Sequence, residues 1–353
     1  MLILVVNAGS SSLKLRLLGD HDEIVESSDL EPDGDLGAVL RRWPPPDAVG
    51  HRVVHGGVGF TSAVRVDDRV RRRLDELTDL APLHQPKSLA ALDAVSAALP
   101  DAPAIACFDT AFHQTIPAAA HTYAVPAEWR ERYGVRRYGF HGLSHAYASR
   151  RASELAGGSR VVTCHLGAGA SLCAVLDGRS VDTTMGFTPL EGLVMATRSG
   201  SVDPGLVLWL EEHERLTPHE VATALEKQSG ILALAGTADL RQVDERAARG
   251  DGDARVAMDV YLHRLVGGIA AMAASLGGLD VLVFTGGVGE HSAPVRAAAA
   301  ERLEWLGVGI DGQRNEAVDG DAVIGADGAR VACVVVAARE DVQIAHEVRQ
   351  LLG

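Results

Sequence analysis

Val5-Val6-Asn7-Ala8-Gly9-Ser10-Ser11-Ser12-Leu13-Lys14-Leu15 and Val162-Thr163-Cys164-His165-Leu166-Gly167-Ala168-Gly169-Ala170-Ser171-Leu172 are one phrase written twice in the same chain. Each reads as an apolar strand, a turn of glycine and other small residues, and a second apolar strand carrying Ser-Leu near its start. Small residues let the backbone come close to a bound group, and their N–H groups form a concavity suited to phosphate. Two such hairpins in two halves of a chain predict a duplicated fold with a polyphosphate held in the cleft between the halves.

The 353 residues exceed the length at which one core usually keeps growing, so two domains are expected. A hydrophobic share of 47% and a charged share of 23% fit an ordinary globular protein. The formal net charge of −14 argues against a nucleic-acid binder, which needs a basic face. A phosphate ligand must therefore be drawn in by a few placed arginines against a repulsive global field.

Cys107, Cys164, Cys173 and Cys333 lie in or beside apolar strand-like runs with no C-x-x-C pair, so they read as buried free thiols. Met1 to Val6 has no basic flank and runs straight into the first turn, which makes it a strand and not a signal peptide. The apolar stretch from Gly267 to Phe284 is divided by Gly277-Gly278 and Asp280 into an Ala-rich helix and a strand. These features point to a cytoplasmic protein.

Along the chain, Val49–Val54 and Ala104–Phe108 read as strands and Ser88–Leu99 as a helix. The charge run Arg65–Arg73 reads as a solvated helix face. Asp203-Pro204 reads as an N-cap followed by a first-turn proline. Asp244–Gly252 is expected to be a polar connector and Asp259–Leu276 a helix. Val331–Ala337 and Asp341–Leu352 close the chain as strand and helix.

A third glycine-rich turn, Phe284-Thr285-Gly286-Gly287-Val288-Gly289-Glu290, follows a strand and precedes a helix, a context that suits a nucleotide. It lacks the P-loop pattern, and a plain strand–helix turn is the alternative. His84, His141 and His165 stand in turn-like phrases suited to contacting an anion. His51, His55, His113 and His145 are expected to be hydrogen-bonded structural residues. Arg52 and Arg198 are embedded in apolar segments and need anionic partners, either a carboxylate of the protein or a ligand. Asp109 and Glu340 follow strands, where an α/β sheet presents its ligand groups.

Taken together, Asn7 to Lys14, His51-Arg-Val-Val-His-Gly-Gly57, Phe108-Asp-Thr-Ala-Phe-His113, Tyr138-Gly-Phe-His-Gly-Leu-Ser-His145, the His165 loop, Thr188-Pro-Leu-Glu-Gly192 through Arg198, and Phe284 to Glu290 resemble the acetate kinase family. The resemblance runs from residue 3 to about residue 345 in the family's order. It implies an α/β, duplicated actin-like (ribonuclease H-like) two-domain fold with a central ligand cleft. The N-terminal domain would comprise residues 1–110 with the C-terminal helix 342–353, and the nucleotide-binding domain residues 111–341. It implies phosphoryl transfer between ATP and acetate, giving ADP and acetyl phosphate, with Mg²⁺ (or Mn²⁺), in a homodimer.

Carried over by position, Asn7 and Glu340 resemble the metal-site residues and Lys14 a nucleotide contact. Arg52 resembles the substrate-binding arginine, and Asp109, His141 and Arg198 resemble the catalytic set. The segments His165-Leu166-Gly167-Ala168-Gly169, Asp239-Leu240-Arg241 and Gly287-Val288-Gly289-Glu290-His291 resemble the ATP-binding loops. Val54, Leu83, Phe140 and Pro189 match the pocket for the acyl methyl group.

The departures from the family pattern are Ala168 for Asn, His291 for Asn, His84-Gln85-Pro86-Lys87 for His-Asn-Pro-Pro, and Ala337-Ala338-Arg339-Glu340-Asp341 for Pro-Thr-Asn-Glu-Glu. They gather mainly around the nucleotide and its metal. A propionate or other short-chain acyl kinase is the alternative enzyme, because one methylene is worth only ~1–3 kcal/mol in such a pocket. The alternative outside the enzymes is an actin-like nucleotide-binding protein with impaired turnover.

Overall fold

The computed structural model describes residues 1–9, 12–31, 34–81 and 85–353, which fall into two compact units. Unit 1 comprises Met1–Gln114, Phe140–Tyr147 and Arg339–Gly353; unit 2 comprises Thr115–Gly139 and Ala148–Ala338.

Unit 1 is built on β1 (Ile3–Ala8), β2 (Leu13–Leu18), β3 (Ile24–Leu30), β4 (Ala48–Val53), β5 (Val64–Arg65) and β6 (Ala104–Phe108), in the order β3-β2-β1-β4-β6-β5. Unit 2 is built on β7 (Arg160–Leu166), β8 (Ala170–Leu176), β9 (Arg179–Thr183), β10 (Val281–Thr285), β11 (Ala322–Val323) and β12 (Ala332–Val335), in the order β9-β8-β7-β10-β12-β11. Renumbered from its own first strand, the second order is the same as the first. The directions agree as well: an antiparallel meander of three strands, two parallel additions, and an antiparallel edge strand. The repeated hairpins are β1–β2 and β7–β8, so the duplication read from sequence extends to whole sheets.

β1, β4 and β6 are buried on both faces, as parallel strands are; β1 and β6 read as near-continuous apolar runs, while β4 carries His51 and Arg52 within it. Side chains alternate between the faces. Ile3, Val5, Ala48, Ile105 and Cys107 pack under the C-terminal helix Glu340–Leu352, against Ile344, Ala345 and Val348. Leu4, Val6, Val49 and Val53 face the helix Gln85–Ala98, through Val95, Leu89 and Leu92. The C-terminal helix comes so close that a Cβ on Gly50 would lie 2.4 Å from Ile344 Cγ2.

In unit 2 the long helix Gly252–Ser275 lies against β7 and β8. A Cβ on Gly268 would stand 2.7 Å from Leu172 Cδ1, which accounts for a glycine inside an Ala-rich helix. Among the described residues this helix alone is long and apolar enough to cross a membrane, and Tyr261, Leu265, Ile269 and Met272 bury one side of it in the unit. It begins before the expected Asp259. The expected connector Asp244–Gly252 is largely helical too, as the end of Leu240–Ala248. That helix buries only Val243, so its sequence gives no apolar stripe to read.

Candidate active site

In unit 1 the parallel register aligns the carboxyl ends of β1, β4 and β6, the edge where α/β sheets bind ligands. Asn7 near the end of β1, Arg52 near the end of β4, Asp109 just past β6 and Glu340 at the start of the C-terminal helix meet there. Arg52 Nη2 donates to Asp109 Oδ2 at 2.6 Å, and Nε donates to both Asp109 oxygens at 3.1 Å. Arg52 Nη1 donates to Asn7 Oδ1 at 3.1 Å, and Asn7 Nδ2 donates to Glu340 Oε2 at 2.8 Å. Glu340 Oε2 also lies 3.7 Å from Arg52 Nε.

Burial works against the Arg52 charge, and Asp109 with Glu340 more than offsets it, holding Arg52 above its ordinary value. Asp109 is 1% exposed. Burial pushes its carboxyl up, Arg52 pulls it down and Glu340 adds to the rise. A guanidinium has five N–H donors. Asp109 and Asn7 engage one on each nitrogen, leaving one on each terminal nitrogen for a ligand carboxylate.

His141 is tied to this cluster through its neighbour. Gly142 N–H donates to the Asp109 carbonyl at 2.9 Å, and a Cβ on Gly142 would fall 2.2 Å from that oxygen. His141 itself holds φ at 56°, a left-handed conformation that non-glycine residues rarely adopt. Phe140 is buried; its carbonyl accepts from His113 Nε2 at 2.9 Å, and its ring meets His55 edge-on at 5.5 Å. Val54 is buried in the same unit. Leu83 and His84 lie outside the described residues.

The histidines expected to be structural divide in two. His55 Nδ1 accepts from the Gly57 N–H at 2.8 Å and His113 bonds Phe140, as expected. His51 differs: both of its buried ring nitrogens lack a partner among the described residues. Burial lowers its pKa to about 3.

Arg198 and Pro189 belong to unit 2, where Arg198 Nη1 donates to the Pro189 carbonyl at 3.1 Å. Burial lowers the Arg198 pKa, Glu226 opposes this only at a distance, and no carboxylate forms an ion pair with it among the described residues. A network outside the expected site fixes the same loop: Tyr123 OH donates to Glu191 Oε2 at 2.5 Å, and Arg137 Nη2 to Glu191 Oε1 at 2.8 Å.

Unit 2 also contains a cavity of about 590 Å³. Gly167 and Ala168 of the second hairpin, Gly287, Val288 and His291 of the third turn, and Asp239, Leu240 and Arg241 line it. Gly286 brings the two loops together: with φ at 77°, its Cβ would fall 2.8 Å from the Leu166 carbonyl oxygen. Asp239 caps the helix Leu240–Ala248 and binds Arg241 Nη2 at 2.9 Å, so that guanidinium is already engaged.

Leu166 and Gly289 are buried behind the wall, and Glu290 Oε1 accepts from the Ala338 N–H at 3.0 Å. His165 and Gly169 do not line the cavity, and Lys14 is exposed on β2 of unit 1. Sequence reading missed the apolar wall of Ile231, Ala238, Tyr261 and Pro294. Nothing in their local patterns separates them from ordinary core residues.

The model described as the Acetokinase family matches residues 45–346. The chain is 43% identical to the acetate kinase of Clavibacter michiganensis subsp. michiganensis over 386 residues, covering 98% of each. It is 38% identical to the acetate kinase of Carboxydothermus hydrogenoformans over 395 residues, covering 100% of this chain and 99% of that one. Among solved structures, the acetate kinase of Porphyromonas gingivalis matches at a TM-score of 0.91 with 36% identity over 100% of both chains. A propionate kinase from Francisella tularensis matches at 0.90 with 34% identity over 98% of both.

Proposed function

Because the chain belongs to the acetokinase family, with the actin-like fold of acetate and sugar kinases, we propose that it transfers the γ-phosphoryl group of ATP reversibly to acetate. An acetate oxygen attacks the γ-phosphorus in line, the bond to the β-phosphate oxygen breaks, and ADP and acetyl phosphate result. The observation that carries this is the Arg52–Asp109–Asn7–Glu340 cluster, which leaves two guanidinium donors for a carboxylate.

Arg52 clamps the acetate. Acetate is already a deprotonated nucleophile at neutral pH, so Asp109 orients Arg52 rather than abstracting a proton; its grip through both oxygens supports that role. Val54 and Phe140, both buried in unit 1, offer apolar contact to the methyl group; Leu83 and Pro189 are assigned to it by the family resemblance alone. Arg198, which has no ion-pair partner among the described residues, and His141 neutralise charge that spreads onto the equatorial oxygens during transfer. The 590 Å³ cavity of unit 2 takes the nucleotide, and the family resemblance alone assigns Lys14 to it.

The donor set suits Mg²⁺, a hard cation that accepts one or two carboxylates and keeps water and phosphate as its other ligands. Asn7 and Glu340 would hold it with all-oxygen donors, and Mn²⁺ suits the same set. When bound, it supplies charge neutralisation for the phosphates.

We place the protein in the cytoplasm as a homodimer. The helix Pro204–Glu212 supports the second point, because it buries none of its residues and leaves Leu206, Leu208 and Trp209 exposed for a second copy.

Trapping the acyl phosphate as its hydroxamate tests the function, with ATP, GTP and pyrophosphate as donors and acetate, propionate and butyrate as acceptors. ATP with acetate is expected to give the highest kcat/KM. The Francisella neighbour makes propionate the second reading. A higher kcat/KM for propionate would establish it, and no turnover with any pair would leave a nucleotide-binding scaffold.

A further inference from the structure

Arg296 stands on the helix Ala293–Arg302, only 1% exposed, and is the largest by volume of the fully buried side chains. Its guanidinium makes four hydrogen bonds, and every acceptor is neutral. Nε donates to Asn315 Oδ1 and Nη2 to the Asn315 carbonyl, both at 2.7 Å. Nη1 donates to the carbonyls of Gly289 at 2.9 Å and Glu290 at 2.7 Å. Asn315 Nδ2 donates in turn to the Ala293 carbonyl at 2.9 Å and closes the ring around the charge. Burial lowers the Arg296 pKa, and no acidic neighbour among the described residues opposes it.

A buried cation held by dipoles alone is costly, and a carboxylate beside it would relieve the cost. The Gly289 and Glu290 carbonyls belong to the turn Gly286–His291, whose residues Gly287, Val288 and His291 line the 590 Å³ cavity. The charge therefore braces the segment that faces the ligand space while contributing no surface to it.

We propose that Arg296 is a positioning residue for the phosphoryl donor: it fixes the Gly286–His291 turn, and its missing counterion is the polyphosphate of the nucleotide. The inference rests on reading this cavity as the nucleotide site. It gives Arg296 two separable tasks, a geometric one through its planar fork and an electrostatic one through its charge. Losing the charge must weaken ligands in proportion to the phosphates they carry.

Asn315→Asp separates the tasks, because it sets a carboxylate where Nε already donates and neutralises the charge while keeping the guanidinium. Calorimetric titration with adenosine, AMP and ADP is the measurement. In Asn315→Asp, ADP is expected to weaken by roughly tenfold or more, AMP by less and adenosine not at all, the Ala293 carbonyl that loses its Nδ2 donor being a cost common to all three. KM for ATP should rise while KM for acetate stays. Arg296→Lys keeps the charge and loses the fork, so its melting temperature should fall while the spacing between adenosine, AMP and ADP affinities persists.

An equal loss for all three ligands in Asn315→Asp, or no loss for ADP, would overturn the electrostatic role. If Arg296→Lys does not fold, the Asn315→Asp comparison decides alone. A wild-type protein that binds ADP no better than adenosine would instead remove the nucleotide reading of the cavity.

Discussion

Arg52 and Arg198 show how far one residue type can differ in its surroundings. Arg52 is already bound by Asp109, while among the described residues Arg198 meets only the Pro189 carbonyl and the Met195 sulfur. Arg198→Ala is therefore expected to lower kcat by about 10³-fold or more with little change in acetate KM, as for a charge that acts in the transition state. Arg52→Ala should raise acetate KM. It should also cost about 3–5 kcal/mol of stability, because it strands a buried carboxylate. Steady-state kinetics and a denaturant melt check both, and the reverse kinetic pattern would reassign the two roles.

Ala168 lines the cavity where relatives of this pattern carry asparagine. Arg339, the other departure that could supply a donor, is held by Asp341 at Nε and at Nη2, both at 2.9 Å. His291 lines the same wall and remains the candidate for partial compensation. Ala168→Asn should accordingly raise kcat/KM for ATP several-fold, within the ~1.5–3 kcal/mol of a charged hydrogen bond, and leave acetate KM unchanged. A loss of kcat/KM would mean the loop has been rebuilt around alanine.

At the scale of elements, β4 carries an uncomfortable neighbour to Arg52. Burial lowers the pKa of His51 to about 3, of His55 to about 4 and of His113 to about 4. Unfolding restores the ordinary value near 6.5, so below that pH the unfolded chain binds more protons. Stability is complete above pH 6.5 and falls toward pH 4 by about 1.4 kcal/mol per pH unit for each histidine. His51→Leu should raise stability at pH 7 by about 1 kcal/mol, since no partner is lost, and should flatten the acid limb by one histidine's share. Urea melts from pH 4 to 8 would reveal it; an unchanged slope would mean that His51 is not the titrating group.

The same strand explains what could be read in advance. Val49–Val54 is apolar enough to declare a buried strand, and a charge inside it declares a need for a partner. The partner's identity, Asp109, lies 57 residues away and depends on β4 and β6 pairing in parallel. Glu340 was legible as a ligand group from its place after the last strand, while its assignment to the metal came from resemblance. Arg296 was invisible because it stands in an alanine-rich helical run whose charges look solvated. Only the third dimension buries it.

Across the whole molecule, two sheets of one connectivity give each half its own core, and the surface left over is uneven. The exposed run of Leu206, Leu208 and Trp209 is expected to be covered in the homodimer proposed above. Leu208→Glu should shift the mass measured by light scattering from two chains toward one without lowering the monomer's helix content. A wild-type protein that stays monomeric at high concentration would leave that helix without an assigned partner.

The C-terminal helix has a consequence for how the protein is made. Unit 1 begins at Met1, yet its sheet is roofed and its cluster completed only by Arg339–Gly353, after everything through Ala338 has been synthesised. At about 5–20 residues per second, Ile3 and Val5 wait roughly 20–70 s for Ile344 and Val348. Until then the nascent chain carries a bare apolar sheet face, and Arg52 and Asn7 lack their glutamate. A ribosome that stalls before residue 340 thus releases a sticky, incompetent fragment, however well unit 2 has already folded. The unit 1 cluster is completed only when Glu340 and the helix behind it emerge, and quality control on the nascent chain matters most just before that point.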